Sequence, residues 1–180
     1  TIGTLHIESP VTEEEFLKMN QQELVDKVYE ATIQNYLEKM KKTASMVYPV
    51  VKQVHEDPNA NFINMVVPFT DGRKSIQVIA NLEKSAKSEG QEVMDALERS
   101  VTLAMIDQHW KEHLREMDDL RQSVRSAVYE QKDPLLIYKF ESFELFKKMV
   151  DQVGREIISF LIKAQLPQAD PSQIQEARAP

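Results

Sequence analysis

The chain has 180 residues, a net charge of −7, 42% hydrophobic and 28% charged residues, and no cysteine. This acidic balance argues against a nucleic-acid partner, because binding to phosphates needs clustered Lys and Arg. Without cysteine there are no disulfides or thiolate zinc sites, and four widely separated glycines do not form a phosphate-binding loop. The apolar runs are too short to span a bilayer, and the N-terminus lacks the features of a secretory signal.

Two capping boxes follow an irregular lead-in at residues 1–11. Thr12 with Glu15, and Asn20 with Glu23, each place a glutamate three residues after a side-chain acceptor. The pattern predicts a short helical turn and then a longer helix, which we expect to end near Pro49 because proline restricts its continuation. The apolar stripe of this helix has three- and four-residue spacing and consists of Val25, Tyr29, Ile33, Tyr36, Leu37 and Met40.

The pattern then changes to that of a β-hairpin at about residues 61–81. An aliphatic and aromatic run over 61–70 is followed by Asp71-Gly72 and by a run over 73–80 that alternates polar and apolar residues. Asp-Gly between two such runs predicts a tight turn, because its central residues need positive φ. Pro68 has no N–H to donate, so we expect its strand to lie at an edge or to carry a bulge.

Two long helices are predicted in the second half of the chain. Ser88, with Gln91 three residues later, caps a helix from about Glu89 to Ser126. Asp133 and Pro134 are an N-cap and a first helical residue, and the helix that they open is expected to reach about Gln165 before Pro167 ends it. The apolar positions of the first helix are Val93, Leu97, Val101, Ala104, Met105, Leu114, Met117 and Val124.

These elements predict a mainly α fold, with a long antiparallel helical hairpin and a helical subdomain that carries a small β-hairpin. The predicted domains are this helical subdomain at 1–88, the helical hairpin at 89–166 and a disordered linker at 167–180. The aromatic residues Tyr138, Phe140, Phe143 and Phe146 are expected to pack within the helical hairpin and against a neighbour outside it.

Two patterns in the first long helix could carry chemistry. His109 and His113 are four residues apart and share one helix face, as metal ligands do. Neither cysteine nor another nearby histidine offers a third ligand, although a carboxylate such as Asp107 or Glu116 could. The carboxylates Glu112, Glu116, Asp118 and Asp119 alternate with Lys and Arg, which is typical of a solvated face. We therefore predict no metal and no catalytic residue in this chain.

Three ordered motifs resemble the SecA family. Residues 107–114 (DQHWKEHL) with MD at 117–118 and LRQ at 120–122 are similar to its first finger helix. Residues 129–134 (YEQKDP) resemble its finger loop, and 138–146 (YKFESFELF) resemble its second finger helix. Before the tyrosine the family commonly has a triplet like L-R-G, whereas this chain has SAV at 126–128, with Arg125 supplying a charge one step away.

The resemblance implies that residues 1–88 are a helical wing-like subdomain and that 89–166 are a two-helix finger of the helical scaffold. It also implies a role in an ATP-driven motor that moves unfolded preproteins through the SecYEG channel. It implies that Tyr129, with Gln131, Lys132 and Arg125, contacts the moving polypeptide and the channel. It also implies scaffold packing for Trp110 and His113 against the nucleotide-binding domains of the same protein, and Phe143 and Phe146 are assigned to this packing as well.

The same resemblance implies that ATP and Mg²⁺ bind to the parent motor and that this fragment is not an enzyme and has no cofactor. The location that it implies is cytoplasmic, peripheral at the inner face of the bacterial inner membrane through the channel, with no nucleic-acid partner. The alternative function is a free-standing helical adaptor that binds partner helices.

Overall fold

A computed structural model describes residues 8–58, 62–126 and 133–167 of the chain. The described residues form five helices and one two-stranded antiparallel sheet, which confirms the predicted mainly α fold. In chain order the elements are α1 (Glu13–Lys18), α2 (Gln21–Glu56), β1 (Asn64–Thr70), β2 (Ser75–Asn81), α3 (Leu82–Lys87), α4 (Gln91–Ser126) and α5 (Pro134–Lys163).

Both predicted capping boxes are present at the starts of α1 and α2. The Glu15 N–H donates to Thr12 Oγ1 at 3.3 Å, and the Thr12 N–H donates to Glu15 Oε2 at 3.0 Å. Asn20 and Glu23 make the same reciprocal pair at 3.0 Å in both directions. Each pair satisfies two backbone donors that have no partner within the helix, which is why the chain breaks between α1 and α2 and then restarts as a helix.

The prediction that the long first helix ends near Pro49 is wrong. Helix α2 continues through Pro49 to Glu56, and Val51 beyond the proline is fully buried. Proline removes one backbone donor from the helix, but Pro49 lies on the exposed side, where water can bond to the carbonyl that loses its partner. Burial of the opposite face outweighs the cost of one proline.

The apolar face of α2 is buried in its second half and exposed in its first half. All buried residues of this helix lie between Met40 and Val51. The residues Val25, Tyr29 and Leu37 share that face by helical spacing and are exposed by 53%, 65% and 53%. These three apolar side chains in the first half of α2 are therefore only partly covered by the described residues.

The β-hairpin forms where it is predicted, with a continuous register from Asn64 opposite Asn81 to Thr70 opposite Ser75. Alternate residues of β1 point into the core, and Met65 and Phe69 are fully buried. Pro68 lies opposite Gln77 without a bulge. Since the sheet has only two strands, Pro68 is at an edge, as expected.

The turn of the hairpin is shifted by one residue from the predicted Asp71-Gly72. The Asp71 N–H donates to the Lys74 carbonyl at 3.2 Å, so Gly72 and Arg73 are the central residues. Gly72 has the expected positive φ of 89°, whereas Asp71 acts through its side chain. Its Oδ1 atom accepts the N–H of Arg73 at 2.8 Å and that of Lys74 at 2.6 Å. Partial burial raises the pKa of Asp71, but these backbone donors outweigh it and hold the pKa below the ordinary value.

A short helix and a glycine turn, neither of them predicted, connect the sheet to α4. Asn81 caps α3 through its Oδ1 atom, which accepts the Lys84 N–H at 2.9 Å. Glu89 and Gly90 then have φ of 53° and 89°, so α4 begins at Gln91 and not at about Glu89. An added Cβ at Gly90 would lie 2.6 Å from the carbonyl oxygen of Ala44, so the turn passes directly against the backbone of α2.

The chain divides into two compact units, of which the first is Thr1–Ser100 with Ser159–Pro180 and the second is Val101–Ile158. The predicted domain boundary at residue 88 stays a prediction. The core of the first unit draws on α2, both strands, α3 and the ends of the two long helices. Its largest fully buried side chains are Phe69, Met65, Met94, Leu97, Val51, Val78 and Val93, and Phe160 is 2% exposed.

Two polar contacts tie α2 to the parts of α4 and α5 that belong to the first unit. The Tyr36 hydroxyl donates to Glu98 Oε1 at 2.7 Å, and burial, followed by this contact with a carboxylate, raises the pKa of Tyr36. The Lys39 ammonium donates to the carbonyl of Ile162, and burial lowers the pKa of Lys39. That carbonyl lies in the last turn of α5, where a helix attracts positive charge.

The last helix is shorter than predicted. The Asp133 cap is confirmed, since its Oδ1 atom accepts the Leu135 N–H at 2.9 Å. Helix α5 ends at Lys163 and not at about Gln165, because Gln165 is extended and pairs with the end of β1. Predicted linker residues 168–180 lie outside the described residues.

The two glycines with a φ of 89° allow strain and steric clash to be separated. Gly72→Ala places a Cβ in open space, so we expect only the cost of positive φ, about 1 kcal/mol. Gly90→Ala adds a clash with the backbone of Ala44, and we expect a loss of roughly 2–4 kcal/mol. Urea unfolding of both variants measures this difference. Equal losses would show that the contact of Gly90 with α2 is not tight.

Candidate functional site

The candidate site lies on the antiparallel helix pair of the second unit, formed by α4 from Val101 onward and by α5 up to Ile158. The Lys148 ammonium lies 3.3 Å from Glu116 Oε1, and His109 Nε2 lies 3.1 Å from Glu156 Oε1. As residue numbers rise along α4 they fall along α5, so the two helices run in opposite directions. The antiparallel helical hairpin is therefore confirmed in this unit.

A small aromatic cluster centred on His113 joins the two helices. Its ring centroid lies 5.6 Å from that of Trp110 on α4 and 5.9 Å from that of Phe146 on α5, the latter in an edge-on arrangement. His113 is only 6% exposed, whereas Trp110 and Phe146 are each 46% exposed. The imidazole thus fills the space between two half-exposed aromatic side chains. Leu114, which the apolar pattern included, is 49% exposed.

Both histidines keep a ring nitrogen buried without a hydrogen bond among the described residues. In His113 this atom is Nδ1. In His109 it is Nε2, which is within ion-pair distance of Glu156 but not in hydrogen-bond geometry, so the pair gains charge attraction only when the ring is protonated. A buried polar atom without a hydrogen bond lowers the stability of the fold.

The contact of Glu156 with His109 was not predicted from the sequence. Glu156 lies 47 positions after His109, and no helical spacing relates the two residues. Only the alignment of α4 with α5 brings them together. The signal in the sequence was limited to an acidic residue on the second helix of an expected antiparallel pair.

Two acidic residues of α4 form exposed ion pairs with basic residues three or four positions away. Glu112 lies 3.0 Å from Arg115, and Asp107 lies 2.6 Å from Lys111. Within the described ranges, no three His, Cys, Asp or Glu side chains come close enough together to hold a metal ion. None of the described helices is long and apolar enough to cross a membrane.

The helix pair also presents apolar side chains to the outside. On α5, Phe140, Phe143 and Phe146 are 66%, 62% and 46% exposed. On α4, Leu103 and Trp110 are 67% and 46% exposed. Side chains of this size are normally buried, so these two helices carry more apolar surface than their own pairing covers.

The predicted site residues have different outcomes. Trp110, His113 and Phe146 come together, while Phe143 lies on the exposed side of α5. The predicted contact residues Tyr129, Gln131 and Lys132 lie outside the described residues. Arg125 belongs to the last turn of α4, but its side chain is not among those that the structure describes.

The sequence matches the family described as SecA Wing and Scaffold domain over residues 9–165. It is 52% identical over 177 residues to a protein translocase subunit SecA of Christiangramia forsetii and 48% identical over 176 residues to one of Flavobacterium psychrophilum. In both cases the match covers 98% of this chain and 16% of the relative.

A protein translocase subunit SecA of Bacteroides fragilis is 42% identical over 178 residues, which is 99% of this chain and 16% of that relative. The chain thus spans about one sixth of the length of these curated relatives. No solved structure matches it.

The unpaired nitrogen of His113 gives a test of the packing interpretation. We expect His113→Ala to destabilise the chain by about 2 kcal/mol, because it leaves a cavity between Trp110 and Phe146. His113→Phe keeps the ring volume and removes the unsatisfied nitrogen, so its free energy of unfolding should equal or exceed that of the unchanged chain. Urea unfolding measures both. A Phe variant as unstable as the Ala variant would show that the imidazole makes an essential hydrogen bond.

Proposed function

The chain belongs to the SecA wing and scaffold family, and from that premise we propose that it is a non-catalytic part of an ATP-driven protein-translocation motor. In this proposal the segment between α4 and α5 contacts the translocating preprotein and the SecYEG channel. Tyr129 makes the central contact, since a tyrosine offers a flat apolar ring and a polar tip to many different sequences. Gln131, Lys132 and Arg125 surround it in the sequence.

The observation that carries this proposal is the antiparallel pair of α4 and α5, whose side chains contact each other. Six residues, 127–132, join Ser126 at the end of α4 to Asp133 at the cap of α5. The Asp133 carboxylate accepts the Leu135 N–H at 2.9 Å, and its carbonyl accepts the Ile137 N–H at 3.2 Å. Two long helices tied by side-chain contacts are a suitable support for a short contact segment.

The exposed apolar side chains support a second role as scaffold. We assign Trp110, Phe143 and Phe146 to packing against the nucleotide-binding domains of the same protein, with His113 setting the position of Trp110 and Phe146. Burial of such surface stabilises an interface by roughly 25 cal/mol per Å². ATP and Mg²⁺ then act in those domains. This chain holds the domains in position and takes no part in the reaction.

The location that follows from this proposal is the cytoplasmic face of the bacterial inner membrane, reached through the channel and not through insertion into lipid. The negative net charge of −7 is unfavourable for anionic lipid and for nucleic acid alike. Attachment of this part of the protein to the membrane would therefore depend on the channel protein.

A photo-crosslinker at Tyr129 tests the contact role. In the complete motor with a preprotein stalled in the channel, we expect the crosslinker to label the preprotein or a channel subunit. The matched control is the same crosslinker at Tyr29, an aromatic residue on α2 that is 65% exposed. Labelling of preprotein and channel from position 29 and not from position 129 would contradict the assignment of the finger segment.

A further inference from the structure

A single residue pair extends the two-stranded sheet beyond β1. The Thr70 N–H donates to the Gln165 carbonyl at 2.9 Å, and the Gln165 N–H donates to the Thr70 carbonyl at 2.9 Å. The pair is antiparallel and isolated, with no second pair next to it. The chain that leaves α5 therefore begins to pair with the outer edge of β1 and stops after one residue.

The register of this pair places two prolines opposite each other. In an antiparallel ladder, the next hydrogen-bonded pair lies two residues further along each strand. From Thr70 and Gln165 that step leads to Pro68 and Pro167. Such a pair normally exchanges two N–H···O=C bonds, but neither proline has an N–H. Both bonds are missing, and the ladder ends.

Pro68 removes no hydrogen bond from the side of β1 that faces β2. Because both backbone groups of Thr70 bond to Gln165, Thr70 faces away from β2, and Pro68, two residues earlier, faces the same way. The register between Asn64 opposite Asn81 and Thr70 opposite Ser75 continues without a bulge past Pro68. Pro68 thus removes a bond from the outer edge alone.

We propose that Pro68 and Pro167 form a paired strand stop, which limits the third strand to Gln165. This inference goes beyond the proposed function and does not depend on it. An open edge of a sheet attracts extended polypeptide. The paired stop leaves that position on β1 without a donor for any added strand.

The test restores the missing donors one at a time in the 180-residue chain. Pro167→Thr supplies an N–H that can donate to the Pro68 carbonyl, and Pro68→Thr supplies one that can donate to the Pro167 carbonyl. Amide hydrogen exchange by NMR reports on the amides introduced at positions 68 and 167 and on those of Thr70 and Gln165. Gln165→Pro is the matched control, because it removes the existing donor to Thr70 and should abolish the pairing.

In the double variant we expect both introduced amides to exchange about tenfold more slowly than unpaired amides, as hydrogen-bonded ladder groups do. Each single variant should protect its own introduced amide. If the introduced amides exchange like unpaired ones while Thr70 and Gln165 remain protected, something other than the prolines ends the strand, and the proposal fails. It also fails if the Thr70 and Gln165 amides are unprotected in the unchanged chain, because the register then does not exist.

Discussion

The close approach of Gly90 to α2 is the constraint on which the first unit depends. The chain must turn from α3 into α4 with two consecutive residues at positive φ, directly against the carbonyl of Ala44. Only glycine avoids both the backbone strain and the steric clash at the second of these positions. This contact sets how near α4 lies to α2, and the buried faces of both helices and of the sheet are fitted to that distance.

Local chemistry could be predicted from the sequence, because its determinants lie within a few residues of one another. The capping boxes at Thr12 and Asn20, the Asp133 cap and the hairpin between 61 and 81 are all set by short-range hydrogen bonds and alternation. Long-range placement could not be predicted in this way. The pairing of Gln165 with Thr70 joins positions 95 residues apart, and nothing in the pattern near Gln165 indicates a strand.

At Pro49, tertiary burial outweighs local preference. The sequence predicts a helix end there, yet the buried face around Val51 carries α2 past it. The surroundings of the histidine pair are likewise set by tertiary contacts. Spacing alone left a metal site and a packing role open for His109 and His113, and their surroundings, Glu156 for one and two aromatic rings for the other, are set by a second helix.

The central claim is that this chain gives the motor a polypeptide contact and takes no part in nucleotide chemistry. The most direct measurement compares preprotein translocation and ATP hydrolysis by the complete protein carrying Tyr129→Ala, with Tyr129→Phe as the ring-preserving control. The account predicts that the Ala variant slows translocation about tenfold more than hydrolysis, the loss expected for one aromatic contact. The Phe variant should slow both only slightly. Equal loss of both activities in the Ala variant would contradict it.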